Sequence, residues 1–197
     1  PYTTLFRSHA REILIMRLTM MRVCVAASAF AMSAFSAFAG GASLEYAVKG
    51  AYLYKMLPFV NWPASTLPEP GSPITICILG HDPFGKALDN AVANLHVGTH
   101  PVSVRRDAVA GDPSCRVAFI APADPQADGS MLQAFDGKPV LTVTDSGAPA
   151  HGVVAFVIEK NHVRFDIDDA MAERDGLSIS SKLLKLARAV NPRKAAP

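Results

Sequence analysis

Four short apolar runs constrain the fold of this 197-residue chain more than any other feature of its sequence. Strands that are buried on both faces have such continuous apolar runs, and we expect the last run to be a central strand. Segments with helical spacing separate the first runs, and strands that alternate with helices favour a mostly parallel sheet. The pattern predicts a single three-layer α/β domain with helices flanking the sheet. The runs are ITICIL at 74–79, CRVAFIA at 115–121, KPVLTVT at 138–144 and VVAFVI at 153–158.

The first helix is predicted over residues 44–60, where apolar side chains recur at helical spacing. Lys49 and Lys55 fall on other faces of this helix, away from the apolar stripe. Pro58 should end or kink it, because proline lacks the amide hydrogen that an interior helical position uses.

Capping residues indicate a second helix over 83–94. Asp82 is a favourable N-cap, and Pro83 fits the first helical position. Shorter helices are expected near 130–135 and 168–174.

Residues 163–190 change their hydrophobic period partway through the segment. The first five residues alternate between apolar and polar, as in a strand with one buried face, and the turn at Lys160 and Asn161 predicts a hairpin with the preceding strand. After Gly176 the spacing becomes helical and predicts a terminal helix over 180–190. We expect its apolar stripe to be core. The stripe comprises Ile179, Leu183, Leu186 and Val190.

The amino-terminal residues are typical of an export signal. Residues 20–39 combine a positive start, an Ala-rich apolar stretch and an A-x-A box, so cleavage is expected between Ala39 and Gly40. The apolar stretch is shorter than the ~20 residues that a membrane-spanning helix needs. Residues 1–19 have no coherent pattern and are interpreted as non-native upstream sequence. Residues 40–197 are predicted to form one domain.

Removal of the leader changes the charge of the chain. Without residues 1–39 there remain 15 basic and 16 acidic residues, against 19 and 17 in the whole sequence. A nearly neutral exported domain lacks the basic surplus that nucleic-acid binding requires, so no nucleic-acid partner is expected.

Two cysteines, Cys77 and Cys115, remain after the leader. An even pair in an exported protein is a disulfide candidate, and the alternative is two buried thiols. No metal site is expected, because lone cysteines lack the close spacing of zinc ligands and the histidines form no matching cluster.

Five motifs, taken together in their order and spacing, resemble the YfiR-like family of exported bacterial proteins. The resemblance covers about residues 44–190. It implies a periplasmic repressor that restrains an inner-membrane diguanylate cyclase and has no catalytic activity and no cofactor. The motifs are YAVKGAYLYKMLPFVNWP at 46–63, ITICILGHDPFGKAL at 74–88, CRVAFIA at 115–121, PVLTVTD at 139–145 and the block at 163–190.

The resemblance also implies particular partners and a covalent link. A peptidoglycan-associated outer-membrane lipoprotein could sequester the protein, the membrane partner could be a sensor other than a cyclase, and a homodimer is possible. Cys77 and Cys115 match the family's cysteine positions, which supports the disulfide. A second cysteine pair of the family is absent here, since residues 144–152 read TDSGAPAHG. Asp168 stands where the family often has Asn, and either residue can cap a helix.

Aromatic residues of the first helix and its end are the candidate partner-binding residues. Tyr46, Tyr52 and Tyr54 cannot all face inward on one helix, so at least one should be exposed. Trp62 could anchor a partner, since tryptophan is enriched at interface hot spots. The alternative for Trp62 is packing against the core at the helix end.

His81, Asp82 and Phe84 are the candidate ligand-binding residues, because their turn follows a strand and opens a helix. Such a turn can bind an anion through free backbone amides, and the alternative is a simple β–α turn. Two functions therefore stand: a non-enzymatic regulator of a membrane signalling protein, or a periplasmic small-ligand binding domain.

Overall fold

The computed structural model describes residues 39–121 and 125–194. The chain divides into two units, Pro1–Leu44 and Glu45–Pro197, and the α/β domain is the second. The upstream residues 1–19 and all but the last residue of the predicted leader lie outside the described ranges.

The domain contains helices and strands in the order that an α/β fold requires. Helix α1 ends at Met56, two residues before Pro58, and Leu57–Phe59 continues as a 3-10 turn. The helices are α1 Ala39–Met56, α2 Lys86–Val92, α3 Pro125–Gln133, α4 Asp169–Arg174 and α5 Ser181–Leu184. The strands are β1 Val60–Asn61, β2 Ile74–Leu79, β3 His96–Val97, β4 His100–Arg105, β5 Cys115–Ile120, β6 Leu141–Thr144, β7 Val154–Glu159, β8 His162–Asp168, β9 Ser178–Ile179 and β10 Val190–Asn191.

Eight of the described strands form one sheet in the order β10-β8-β7-β6-β5-β2-β4-β3. The pairs from β4 through β2, β5 and β6 to β7 are parallel, and so is the pair β8 and β10. The pairs β7–β8 and β3–β4 are antiparallel. Strands β1 and β9 form a separate antiparallel pair. The prediction of a mostly parallel sheet with an antiparallel hairpin is confirmed.

Alternate residues of the central strands enter two different cores, as the period of a strand requires. Ile76 and Phe119 belong to the larger core, together with residues of α1, α2, α4 and α5. Cys77 and Ile120 belong to a smaller core on the other face, which Met131 of α3 joins. Among the described helices, most cover one face of the sheet, and α3 covers the centre of the other.

Cys77 and Cys115 form the predicted disulfide. Their Cα atoms are 5.7 Å apart on the paired strands β2 and β5, and both side chains are fully buried in the smaller core. The bond thus joins the two strands at the middle of the sheet.

The predicted hairpin is also confirmed. Strands β7 and β8 pair from Val154 with Ile167 to Glu159 with His162. Lys160 and Asn161 both have positive φ, 49° and 62°, as a two-residue type I′ turn requires.

The prediction of a terminal helix over 180–190 is wrong. Helix α5 ends at Leu184, and Val190–Asn191 is a short parallel strand beside β8. The reason is tertiary pairing: Arg188 N–H donates to Phe165 O at 2.8 Å and Ile167 N–H to Ala189 O at 3.0 Å. These bonds satisfy backbone groups of β8 that a helix would leave unpaired.

The apolar stripe of the predicted helix is therefore divided between core and surface. Ile179 and Leu183 are buried, whereas Leu186 is 63% exposed and Val190 36% exposed.

Replacement of both cysteines, Cys77→Ala with Cys115→Ala, should lower the free energy of unfolding by about 3–4 kcal/mol, because the loop between the cysteines is no longer closed in the unfolded chain. Urea unfolding of the oxidised protein and the variant measures this difference. Thiol reductant should destabilise the wild type and leave the variant unchanged. Equal stability of oxidised protein and variant would contradict the prediction.

Candidate functional site

The carboxyl ends of the parallel strands meet helix α1 at Tyr46 and Lys49. Strand β6 ends at Thr144, and Asp145 follows it with its side chain 2% exposed. Strand β2 ends at Leu79 on the same side of the sheet, where the Gly80–Gly85 turn begins. This is the side of an α/β sheet on which ligands commonly bind.

Lys49 is fully buried at this junction and lies between two carboxylates. Its ammonium forms ion pairs with Glu45, one helical turn earlier, and with Asp145, and it is 3.0 Å from Ser146 Oγ. An ammonium has three hydrogens to donate, so every donor has an acceptor. A buried charge that is paired and hydrogen-bonded in this way avoids the cost of an unpaired one.

Tyr46 completes this arrangement, which we call the Lys49 cluster (Glu45, Tyr46, Lys49, Asp145 and Ser146). The Tyr46 hydroxyl donates to Asp145 Oδ2 at 2.8 Å, and the Lys49 ammonium is 4.7 Å from the centre of the Tyr46 ring. Burial raises the pKa of Tyr46 above its ordinary value, and the hydrogen bond to the Asp145 carboxylate raises it further. The phenol is therefore a hydrogen-bond donor and not a base at neutral pH.

The sequence pattern did not predict the Lys49 cluster, because it places Lys49 away from the apolar stripe of the helix. A Glu–Lys pair at i and i+4 is visible in the sequence, but such pairs are usually solvated. Burial of Lys49 depends on Asp145, which is 96 residues away along the chain. The cluster holds α1 on the carboxyl end of the sheet, and its ammonium has no donor left for a ligand.

The candidate ligand turn is largely closed by its own aspartate. Asp82 accepts the amide hydrogens of Phe84 at 2.8 Å and Gly85 at 3.2 Å, which an anion would otherwise use. Helix α2 consequently begins at Lys86 and ends at Val92, so the prediction of a helix over 83–94 is wrong at both ends.

Arg106 fixes the same turn from the end of β4. It donates to Asp82 Oδ2 at 2.6 Å and also bonds Asp89 and the carbonyl of Gly85. Partial burial acts to raise the pKa of Asp82, but the hydrogen bond from Arg106 and those from the turn amides bring it below its usual value.

The other two candidate ligand residues lie in different environments. His81 is exposed at the start of the turn. Phe84 is buried between two rings, with its centroid 5.8 Å from Tyr46 and 4.7 Å from Phe119. Phe84 therefore packs the turn against α1, and a ligand role for His81, Asp82 and Phe84 stays a prediction.

The candidate partner-binding aromatics are all partly buried against the larger core. Tyr52 packs on Phe156 and Phe165 of the hairpin, at centroid distances of 6.2 and 5.3 Å. Trp62 donates from Nε1 to Arg116 O at 3.3 Å. Tyr46 is held by the Lys49 cluster, and Tyr54 is half-buried. Their role in partner binding stays a prediction.

A cavity of about 350 Å³ lies beside strands β7, β8 and β10. Its polar lining residues are His151, Asp166, Asp168 and Asn191, and apolar residues of β7, β8 and β10 complete the lining. Asp166 is bonded by Arg188, which lowers the pKa of this carboxyl below its ordinary value. Asp168 accepts Met171 N–H at 2.6 Å as the N-cap of α4, as expected, and its other oxygen accepts from Asn191 at 2.9 Å.

Over 39–121 and 125–194, no group of three or more His, Cys, Asp and Glu side chains is arranged to hold a metal ion. None of the helices in these ranges combines the length and the apolar character that crossing a membrane demands.

A family model described as YfiR/HmsC-like matches residues 46–188, which is more than half of the chain. The chain belongs to the YfiR/HmsC-like family. No individual curated protein matches it. The family is regulatory in general and suggests a periplasmic regulator of cyclic-di-GMP signalling that interacts with a protein partner.

Lys49→Met should lower the free energy of unfolding by roughly 3–5 kcal/mol, because Asp145 is left buried without its counter-ion. Lys55→Met is the matched control, since Lys55 is exposed on the same helix; it should change stability by less than about 0.5 kcal/mol. Chemical denaturation measures both effects.

The double variant Lys49→Met with Asp145→Asn should lose less than the sum of the two single losses, because removal of both charges leaves neither unpaired. Additive losses would contradict the ion pair as the source of the effect.

Proposed function

We propose that this protein is an exported, non-enzymatic regulator that binds the periplasmic part of a membrane signalling protein and restrains it. The partner is proposed to be a diguanylate cyclase, so that binding lowers cyclic-di-GMP. The observation that carries the proposal is the family match over residues 46–188. The Lys49 cluster supports it, since its donors are used within the protein and it serves to position α1.

The proposed mechanism is a population shift in the partner. A regulator that binds one conformation of the cyclase better than another shifts the cyclase toward the first. A full reversal from 1:99 to 99:1 needs a preference of about 10⁴-fold for the restrained conformation. The preference must come from contacts that the regulator makes with the restrained conformation and not with the other one.

Helix α1 is the first surface proposed for this contact. The Lys49 cluster fixes its inner side, and Ala47 and Val48 are exposed on its outer side. Tyr46, Tyr52, Tyr54 and Trp62 would contribute their exposed parts. A peptidoglycan-associated outer-membrane lipoprotein that competes for the same surface would release the cyclase. A homodimer would present two copies of α1 to its partners.

The test is the cellular cyclic-di-GMP level. Deletion of the gene should raise it, and expression of the exported chain should restore it. Expression of the chain without residues 20–39 is the matched control and should restore nothing, because the protein would not reach the periplasm. An unchanged level on deletion, with and without envelope stress, would contradict the proposal.

A periplasmic small-ligand binding domain is the second candidate, and the cavity at His151 favours it. Amino acids and cell-wall fragments can be screened by thermal shift. If this function holds, a ligand that raises the melting temperature of the wild type should lose its effect in His151→Ala. Stabilisation that is equal in both proteins would place the ligand elsewhere.

A further inference from the structure

The outer edge of strand β8 is only partly paired. In a hairpin with a two-residue turn, Glu159 and His162 bond to each other, and every second residue beyond them does the same with its opposite residue. Asp168 N–H follows this rule and donates to Val153 O at 2.8 Å. Val163, Phe165 and Ile167 therefore direct their backbone groups away from β7.

The segment around β10 covers only the carboxyl half of this edge. Ile167 N–H and Phe165 O are bonded to Ala189 and Arg188, respectively. The N–H and C=O of Val163 and the N–H of Phe165 have no hydrogen-bond partner among the residues that the structure describes. We call these three backbone groups the β8 edge. Such a row of unpaired groups is a template for another strand.

Large apolar side chains are exposed beside the β8 edge. Ile158, which pairs with Val163 across the hairpin, is 43% exposed, and Leu186, two residues before Arg188, is 63% exposed. Edge strands are often protected from aggregation by charged residues, proline or bulges. Exposed apolar residues at the same place add no protection, but they are expected in a surface that contacts a partner.

Basic side chains outnumber acidic ones around the β8 edge, although Glu159 is exposed beside Lys160. Residues 176–194 contain five basic residues and no acidic one. Lys160, Arg164 and Lys185 form no ion pair within the described part of the chain, whereas Arg188 and Arg193 are each paired with an aspartate. The unpaired cations lie at the hairpin turn, on β8 and at the end of α5. An acidic partner segment is complementary to them.

We propose that an extended, acidic segment of the regulated membrane protein adds as a strand to the β8 edge. Its backbone would bond Val163 and Phe165, its apolar residues would contact Ile158 and Leu186, and its carboxylates would face Lys160, Arg164 and Lys185. Strand addition of this kind uses backbone bonds for affinity and side chains for specificity. The inference rests on the proposed function and adds a second contact surface, besides α1, and the chemistry of the partner segment.

Val163→Pro tests the backbone bonds. Proline is tolerated on a sheet edge whose N–H is unpaired, so this variant should keep the native far-UV circular dichroism spectrum and cooperative unfolding. It removes one donor and blocks the approach of a strand. In the deletion strain it should fail to lower cyclic-di-GMP.

Charge reversal gives an independent variant that does not depend on the backbone. Lys160→Glu with Lys185→Glu should weaken binding to the cyclase's purified periplasmic region by about tenfold or more, because two attractions become repulsions. Lys86→Glu with Lys138→Glu is the matched control, since both lysines are exposed and lie outside α1 and the β8 edge; it should bind as the wild type does.

A photo-crosslinking residue at position 186, with position 109 as an equally exposed apolar control, identifies the occupant in cells. A crosslink from 186 alone to the membrane signalling protein is the expected result. A crosslink from 186 to a second copy of this chain would overturn the inference. Wild-type activity in both Val163→Pro and the charge-reversed variant would also overturn it and leave the proposed function standing. Failure of the wild type itself to lower cyclic-di-GMP would instead overturn the proposed function and the inference with it.

Discussion

The position of helix α1 depends on one buried ion pair. The charged Lys49 can be buried because it forms ion pairs with Asp145, at the end of β6, and with Glu45. Tyr46 donates a hydrogen bond to the same aspartate. Since an ammonium without these acceptors would be costly to bury, the helix can dock in only one register. That register also places Tyr52 on the hairpin and Phe84 against Tyr46, so the larger core is assembled around the same contact.

The centre of the sheet and its β8 end have different physical characters. At the centre, the Cys77–Cys115 bond joins β2 and β5, and helices cover both faces. At the β8 end, a short strand covers half of an edge. Ile158 and Leu186 are exposed there, near lysines that have no ion pair in the part of the chain that the structure describes. A disulfide-linked centre with an open edge is compatible with the proposed binding of a partner strand at that edge.

Much of the fold could be predicted from local sequence. The apolar runs became β2, β5, β6 and β7, the Lys160–Asn161 turn became a type I′ hairpin, and Asp168 caps α4. These features depend on residues close together in the chain. The prediction of a terminal helix was wrong because the structure of this segment depends on residues that are distant in the chain. Residues 188–191 pair with β8, and this pairing outweighs the helical spacing of four apolar residues.

The sequence by itself determined the class of fold, the cysteine pair and the family. These follow from the spacing of apolar residues, the number of cysteines and the order of the motifs. Only the tertiary structure decided which charges are buried and which edges are open. Lys49 and Lys55 look alike in the sequence, yet Lys49 is enclosed because Asp145 is brought to it by the sheet. Leu186 and Ile179 belong to one predicted stripe, yet only Ile179 is buried, because burial depends on what a neighbouring element covers.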